Sequence, residues 1–399
     1  MPLFANTKYS TEFWIFQMFR SVKFLQFPTR VFSNNIEELQ IQVPWGYIAG
    51  KKYHRIDQDR QVSDKKIAKF NTNLPIIFCH GINDNLGSME PLINKLQILQ
   101  PTIECYSFDF PGHGQSSWKN DQLNFRPLDA TLDILRVLES LKIKKFNACG
   151  HSVGAMVLQN INVLYPGRID SLIRLCSDGM ATGTPYTFGQ SLKQGMDSVL
   201  TFGRKRDKFD EKYSTYQELH EKLCAGFNFY GHQMKSTVNS NVMHHILDRG
   251  ITPHPNNNSN KKKLFKLSRD PILTKTAAFQ DASSEFSFYA QKQAYKKSNS
   301  KRLKELHILA KNDMFYDLFL LIDEENYYVL KEFYEIFSLN ENYQTRLVDG
   351  NHHVHLNESE KIAGMISSWI DDVGDRSDHV SVDELFLQRT DPEFLEDLE

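Results

Sequence analysis

The chain has 399 residues, 40% hydrophobic and 24% charged, an ordinary globular composition with enough apolar side chain to bury a full core. A formal net charge of -2 supplies no overall field of the kind that marks a nucleic-acid partner, and no apolar stretch approaches the length needed to span a bilayer. Cys79, Cys105, Cys149, Cys176 and Cys224 are an odd set without C-x-x-C spacing, four of them in or beside apolar strand runs, so reduced and buried thiols are expected.

Residues 1–36 stand apart. Phe4, Phe13, Trp14, Ile15, Phe16, Phe19, Phe24, Leu25 and Phe27 mix with Lys8, Arg20, Lys23 and Arg30, and Glu12 is the only acid before Glu37. This amphipathic, acid-poor leader, with Arg30-Val31-Phe32-Ser33 similar to a presequence cleavage pattern, reads as a mitochondrial presequence. The competing reading is an N-terminal helix docked by its aromatic face, which leaves a cytoplasmic location.

Residues 37–178 read as the first part of an α/β core. Leu39-Gln40-Ile41-Gln42-Val43 alternates apolar and polar, turns at Pro44-Trp45-Gly46 and continues into Tyr47-Ile48-Ala49-Gly50-Lys51, which predicts a hairpin. The apolar run 74–79 suits a central parallel strand, and it ends in His80-Gly81-Ile82-Asn83-Asp84-Asn85. A helix near 87–98, a strand near 102–108, a loop Asp109-Phe110-Pro111-Gly112-His113-Gly114-Gln115-Ser116, a helix at 127–141, a strand with a following helix at 145–158 and a strand at 170–176 come next. Such repetition of strand and helix predicts a mostly parallel sheet flanked by helices.

Over 179–304 the alternation stops. Arg204-Lys205-Arg206, Lys261-Lys262-Lys263, Lys296-Lys297 and Lys301-Arg302 make this a basic, mainly helical lid insertion. A solvated lysine face is the plainer reading of those runs; the sharper one is attraction for an anionic substrate group such as phosphate or coenzyme A, or for an anionic membrane surface. The core resumes over 305–372 with a strand at 306–310, helices at 325–337 and 359–371 and a strand at 344–348. Residues 373–399 read as an acidic, solvated tail.

The stretch carrying chemistry is Gly150-His151-Ser152-Val153-Gly154, a G-x-S-x-G pattern. Alone it is a common Gly/Ser turn. Between an apolar strand and the helical wall Ala155, Met156, Val157 and Leu158, it becomes a nucleophile elbow, which exposes the Ser152 hydroxyl beside the positive end of a helix. An activated serine needs a base and a group to orient that base, and on this fold they follow in the order Ser, acid, His. In Gly350-Asn351-His352-His353-Val354-His355, after the last predicted strand, His352 is the favoured base and His355 the runner-up. Asp313, after the strand at 306–310, is the favoured acid, with Asp178 the competitor and Asp317 a weaker third; a helix N-cap is the commoner fate of such aspartates. The oxyanion donors are expected to be the backbone N–H groups of Ile82 and Val153. Three histidines this close also suit a metal, but the spacing sits in no helix or Cys cluster that would complete a site, and none is assigned.

Together, His80-Gly81, Asp109-x-Pro111-Gly112-His113-Gly114-x-Ser116, the elbow and Gly350-Asn351-His352 resemble the α/β-hydrolase fold. More narrowly, Val43-Pro44-Trp45-Gly46-Tyr47-Ile48-Ala49, His80 to Asn85, Leu247-Asp248-Arg249-Gly250-Ile251-Thr252, Leu267-Ser268-Arg269-Asp270 and Gly350 to His355 are similar to the serine hydrolase-like (kraken-type) family, over about 39–372. The resemblance implies a serine hydrolase acting on a small-molecule ester or related acyl bond, with no cofactor. Asp313 matches no family motif and rests on chain order. Related folds that open epoxides or displace halide use an aspartate nucleophile, which serine at 152 argues against. The other class to weigh is a catalytically silent hydrolase fold used as a binding or scaffolding subunit.

Overall fold

The computed structural model describes residues 32–33, 35–56, 70–119, 125–177, 182–183, 189–190, 193, 196–197, 200–201, 212–225, 237–257, 262–274, 282–283, 289–294, 303–313, 335–337 and 339–371. Its centre is a nine-stranded sheet: β1 (Phe32–Ser33), β2 (Ile36–Val43), β3 (Gly46–Tyr53), β4 (Ile76–Cys79), β5 (Cys105–Phe108), β6 (Phe146–His151), β7 (Ile169–Leu175), β8 (Lys304–Asn312) and β9 (Tyr343–Asn351). The spatial order is β1-β2-β3-β5-β4-β6-β7-β8-β9. From β5 to β9 the neighbours are parallel, whereas β1, β2 and β3 add an antiparallel edge.

The apolar runs at 76–79 and 146–149 behave as strands buried on both faces. Ile77 and Cys79 enter one core with Phe146 and Ala148, while Ile76 and Phe78 enter the other with Cys149. This is the two-residue period of a pleated strand. Helices α2 (Pro127–Ser140) and α3 (Val153–Leu164) supply Ile134, Leu138, Val157 and Ile161 to the first core. α1 (Glu90–Leu99) and a long C-terminal helix over Ser359–Ile370 supply Leu92, Leu96, Ile362 and Ile366 to the second.

Boundaries differ from the sequence expectation where tertiary pairing extends an element. The hairpin runs on to Tyr53 because β3 also pairs with β5 from Gly50↔Phe108 to Tyr53↔Cys105, and β8 is longer than 306–310 because β7 and β9 flank it on both sides. Between β7 and β8 the described residues hold α4 (Tyr216–Cys224), α5 (Met243–Gly250) and short strand pairs, Ile251–Pro253 with Phe265–Leu267 and Thr182–Gly183 with Ala282–Ser283. α4 starts on a capping box in which Thr215 and Glu218 exchange side-chain and backbone hydrogen bonds of 3.3 and 2.8 Å. Most of the expected helix at 325–337, residues 1–31, the tail from 372, and most basic runs of 179–304 lie outside the described residues; Lys262 and Lys263 are described and exposed.

None of the five cysteines forms a disulfide; four are buried and Cys224 is half-buried. No helix among the described residues is long and apolar enough to cross a membrane.

Candidate active site

Strand register decides which residues meet. Cys79 pairs with Gly150, His151 with Leu175, Leu175 with Ile308 and Asn312 with Asn351, so the chain leaves β4, β6, β7, β8 and β9 along one edge. The residues that follow are His80, Ser152, Cys176, Asp313 and His352. The carboxyl edge of a parallel sheet thus gathers side chains from across more than half of the chain.

Ser152 occupies the turn between β6 and α3 at φ 51 and ψ -122. This is sparsely populated backbone for a residue with a side chain, and its N–H is held by the Leu175 carbonyl at 2.9 Å. The flanking glycines are required by contact: a Cβ at Gly150 would lie 2.5 Å from the Ala155 nitrogen and one at Gly154 2.2 Å from the Cys79 carbonyl oxygen. Val153 is the first residue of α3, so its N–H has no partner within the helix.

His352 Nδ1 stands 3.0 Å from each carboxylate oxygen of Asp313. Ser152, His352 and Asp313 are 3%, 6% and 2% exposed, so the ion-pairing groups are withdrawn from bulk water. Ring contact places His352 against the residue preceding Ser152: the His151 and His352 centroids are 4.7 Å apart, and His151 Nε2 donates to the His352 carbonyl at 2.8 Å. No hydrogen bond joins the Ser152 hydroxyl to His352 among the described residues. Cys176, at φ 51 after β7, brings its sulfur within 4.8 Å of ligand atoms of Asp313 and His352. Asp178 and Asp317 lie outside the described residues. His355 is fully buried and stacks on His151 with centroids 3.8 Å apart, in a different cluster from Asp313.

Ile82 lies in the loop after β4, and two histidines that the motifs carry without an assigned role shape this loop. His80 Nδ1 donates to the Gly81 carbonyl at 2.7 Å while its Nε2 accepts the Phe110 N–H at 3.0 Å. His113 Nδ1 donates to the Pro111 carbonyl at 3.1 Å and its Nε2 accepts the Asn83 N–H at 3.3 Å. Burial holds both imidazoles below their usual range, so they stay neutral and serve as fixed donor-acceptor bridges. Arg269 Nη1 donates to the Asn83 carbonyl at 3.0 Å, gripping the peptide next to Ile82 from the insertion.

Asp109 is the hub below this loop. It accepts the Leu86 N–H at 2.8 Å, the Gln115 N–H at 3.0 Å and Arg249 Nε at 2.8 Å. Ser116 Oγ donates to the Asp109 carbonyl and accepts the Ala49 N–H. The loop Asp109 to Ser116 is therefore scaffold, and Arg249 fastens the insertion to it.

One further grouping emerges that sequence spacing hid. Folding brings Asp84 and His151 from distant segments to His353 and His355.

A sequence model of the family described as the alpha/beta hydrolase fold matches residues 75–359. The chain belongs to this family. Among curated proteins, the α/β-hydrolase-fold chain is 22% identical over 357 residues to a serine hydrolase-like protein of Danio rerio, with 86% of this chain and 91% of that one covered. It is 25% identical over 343 residues to a serine hydrolase-like protein of Mus musculus, with 84% and 95% covered. Among solved structures it is similar to the hypothetical protein PA1622 from Pseudomonas aeruginosa PAO1, at TM-score 0.60 and 19% identity, covering 83% of this chain and 98% of that one. The narrower resemblance to serine hydrolase-like proteins is matched by these relatives, and fold and names together support a hydrolase.

Proposed function

We propose that the protein is a serine hydrolase that cleaves a carboxylic ester or related acyl bond through Ser152, His352 and Asp313. The observation that carries the reading is a buried His352–Asp313 pair, 3.0 Å apart, beside an elbow that holds Ser152 at φ 51.

Asp313 accepts the Nδ1 proton of His352, which leaves Nε2 as the basic nitrogen. In the first step the Ser152 oxygen attacks the acyl carbonyl as Nε2 takes its proton. Negative charge on the former carbonyl oxygen is stabilised by the N–H groups of Ile82 and Val153. Collapse breaks the bond to the leaving alcohol, which departs with the proton from His352. Water then attacks the acyl-enzyme, giving its proton to His352; the carboxylic acid leaves and Ser152 recovers its proton. Closure of the Ser152–His352 hydrogen bond belongs to the Michaelis complex, where such contacts tighten.

Replacing Ser152 by Ala and measuring turnover on a panel of neutral esters tests the reading. A fall of about 10⁴-fold or more is expected. Wild-type rates in that variant would sink it. A silent scaffold is the second reading, favoured by the missing Ser152–His352 bond among the described residues, and it predicts no ester turnover in the wild type either.

The exposed Lys262 and Lys263 fit a solvated basic face. A steep salt dependence toward anionic but not neutral esters would assign them to an anionic substrate or membrane surface instead. Residues 1–36 are proposed as a mitochondrial presequence; a native N-terminus near Ser33 supports this and an intact leader contradicts it.

A further inference from the structure

Beside the elbow, four side chains from three loops form a second buried cluster: Asp84 after β4, His151 at the end of β6, and His353 and His355 after β9. They are 2%, 1%, 5% and 0% exposed. Ligand atoms of Asp84, His151 and His355 lie within 4.8 Å of one another. Asp84 Oδ2 is 3.8 Å from His151 Nδ1, and Asp84 Oδ1 is 3.7 Å from His353 Nε2.

Proton positions make this cluster unsuited to stand by itself. The His352 carbonyl can only accept, so His151 Nε2, 2.8 Å away, carries the proton. His151 Nδ1 faces the Asp84 Oδ2 oxygen across 3.8 Å, beyond hydrogen-bond distance. Among the described residues, both Asp84 oxygens, His151 Nδ1 and both ring nitrogens of His355 have no hydrogen-bond partner and are shielded from solvent. Buried polar atoms left in that condition are costly. A cation among these atoms removes the conflict.

We propose that Asp84, His151 and His355, with His353 Nε2 as fourth donor, bind a divalent zinc-class metal ion. The donor set of imidazole nitrogens and one carboxylate is a zinc set. Tetrahedral bonds of about 2.0–2.1 Å place donors about 3.3 Å apart, so the 3.7 and 3.8 Å separations close by a few tenths of an ångström, and His355, within 4.8 Å of Asp84 and His151, moves inward by up to about 1.5 Å. The His151 Nε2–H bonded to a backbone carbonyl is the outer contact that fixes the tautomer of a metal-bound histidine. With donors from three segments, the ion ties the loop of Ile82, the elbow and the loop of His352 together. The site stands whether or not Ser152 is a nucleophile.

The test uses the full-length protein stripped with a chelator, dialysed and titrated with zinc chloride by calorimetry, with metal content read by mass spectrometry. One zinc per chain is expected, with a melting temperature raised by several degrees. His355→Gln and Asp84→Asn should weaken binding by about 100-fold or more, beyond an outer-contact loss. Asp313→Asn should leave binding intact, which separates this site from the Cys176, Asp313 and His352 group. Failure of stripped wild type to take up stoichiometric zinc overturns the proposal, and this arm stands even where a variant does not fold. Zinc lost in Asp313→Asn but kept in His355→Gln overturns it too.

Discussion

His151 donates its Nε2 proton to the carbonyl oxygen of His352 across 2.8 Å, so the residue before the candidate nucleophile holds the backbone of the candidate base, 201 positions away. That one bond joins the middle of the chain to its last strand at the sheet edge. It fixes the start of the loop whose ring meets Asp313, and the account of the site depends on that loop keeping its place.

Asp313→Asn keeps the side-chain volume but replaces a carboxylate acceptor by an amide that can donate. His352 then loses the partner that sets its tautomer, and kcat/KM for esters is expected to fall about 10⁴-fold at neutral pH. Circular dichroism should show the fold retained. A variant within tenfold of wild type would mean that Asp313 does not orient the base.

Arg249→Met removes a cation that is 6% exposed from an aspartate that is fully buried. Asp109 keeps the Leu86 and Gln115 N–H donors but loses its counter-charge, whereas Glu38, 3.3 Å from Arg249 Nη1, keeps Lys51 at 3.4 Å. Breaking a buried pair from one side should lower stability by about 3–5 kcal/mol in denaturant unfolding. Adding Asp109→Asn to the same chain should restore part of that loss, because the stranded charge is gone.

Acid should weaken the fold through Glu90, the first residue of α1. Burial would raise its carboxyl, yet His245, Lys51 and Tyr53 hold it down to about 2 from its ordinary 4.5. The folded value is the lower one, so the stabilisation is complete above about pH 4.5 and is lost as pH falls toward about 2. Urea midpoints across that window should fall by the equivalent of order 3 kcal/mol more in wild type than in Glu90→Gln. Equal slopes for the two proteins would contradict the assignment.

Much of this architecture was legible because apolar runs, turn residues and helix periodicity are local signals. Phe146 to Leu164 could be read as strand, turn and helix from composition, and Asp313 and His352 could be named because each directly follows a strand. The rest depends on contacts between distant segments. His80 and His113 looked like motif members without a task until Phe110 and Asn83 supplied their partners, and Arg249 gained meaning only once Asp109 lay beneath it. Asp84 and His151 are 67 positions apart and share no spacing pattern, so no reading of Gly350 to His355 could have joined them to His355. Strand pairs between β7 and β8 were missed for a related reason: Ile251–Pro253 and Phe265–Leu267 are three residues each, too short for a two-residue period to register.

Covalent labelling of the wild-type protein with a fluorophosphonate probe, mapped by mass spectrometry, reads directly whether Ser152 is an activated nucleophile. The expected result is a single adduct on Ser152, lost in Ser152→Ala and strongly slowed in His352→Ala. A folded protein that takes up no probe, or takes it up equally well without Ser152, would contradict the account.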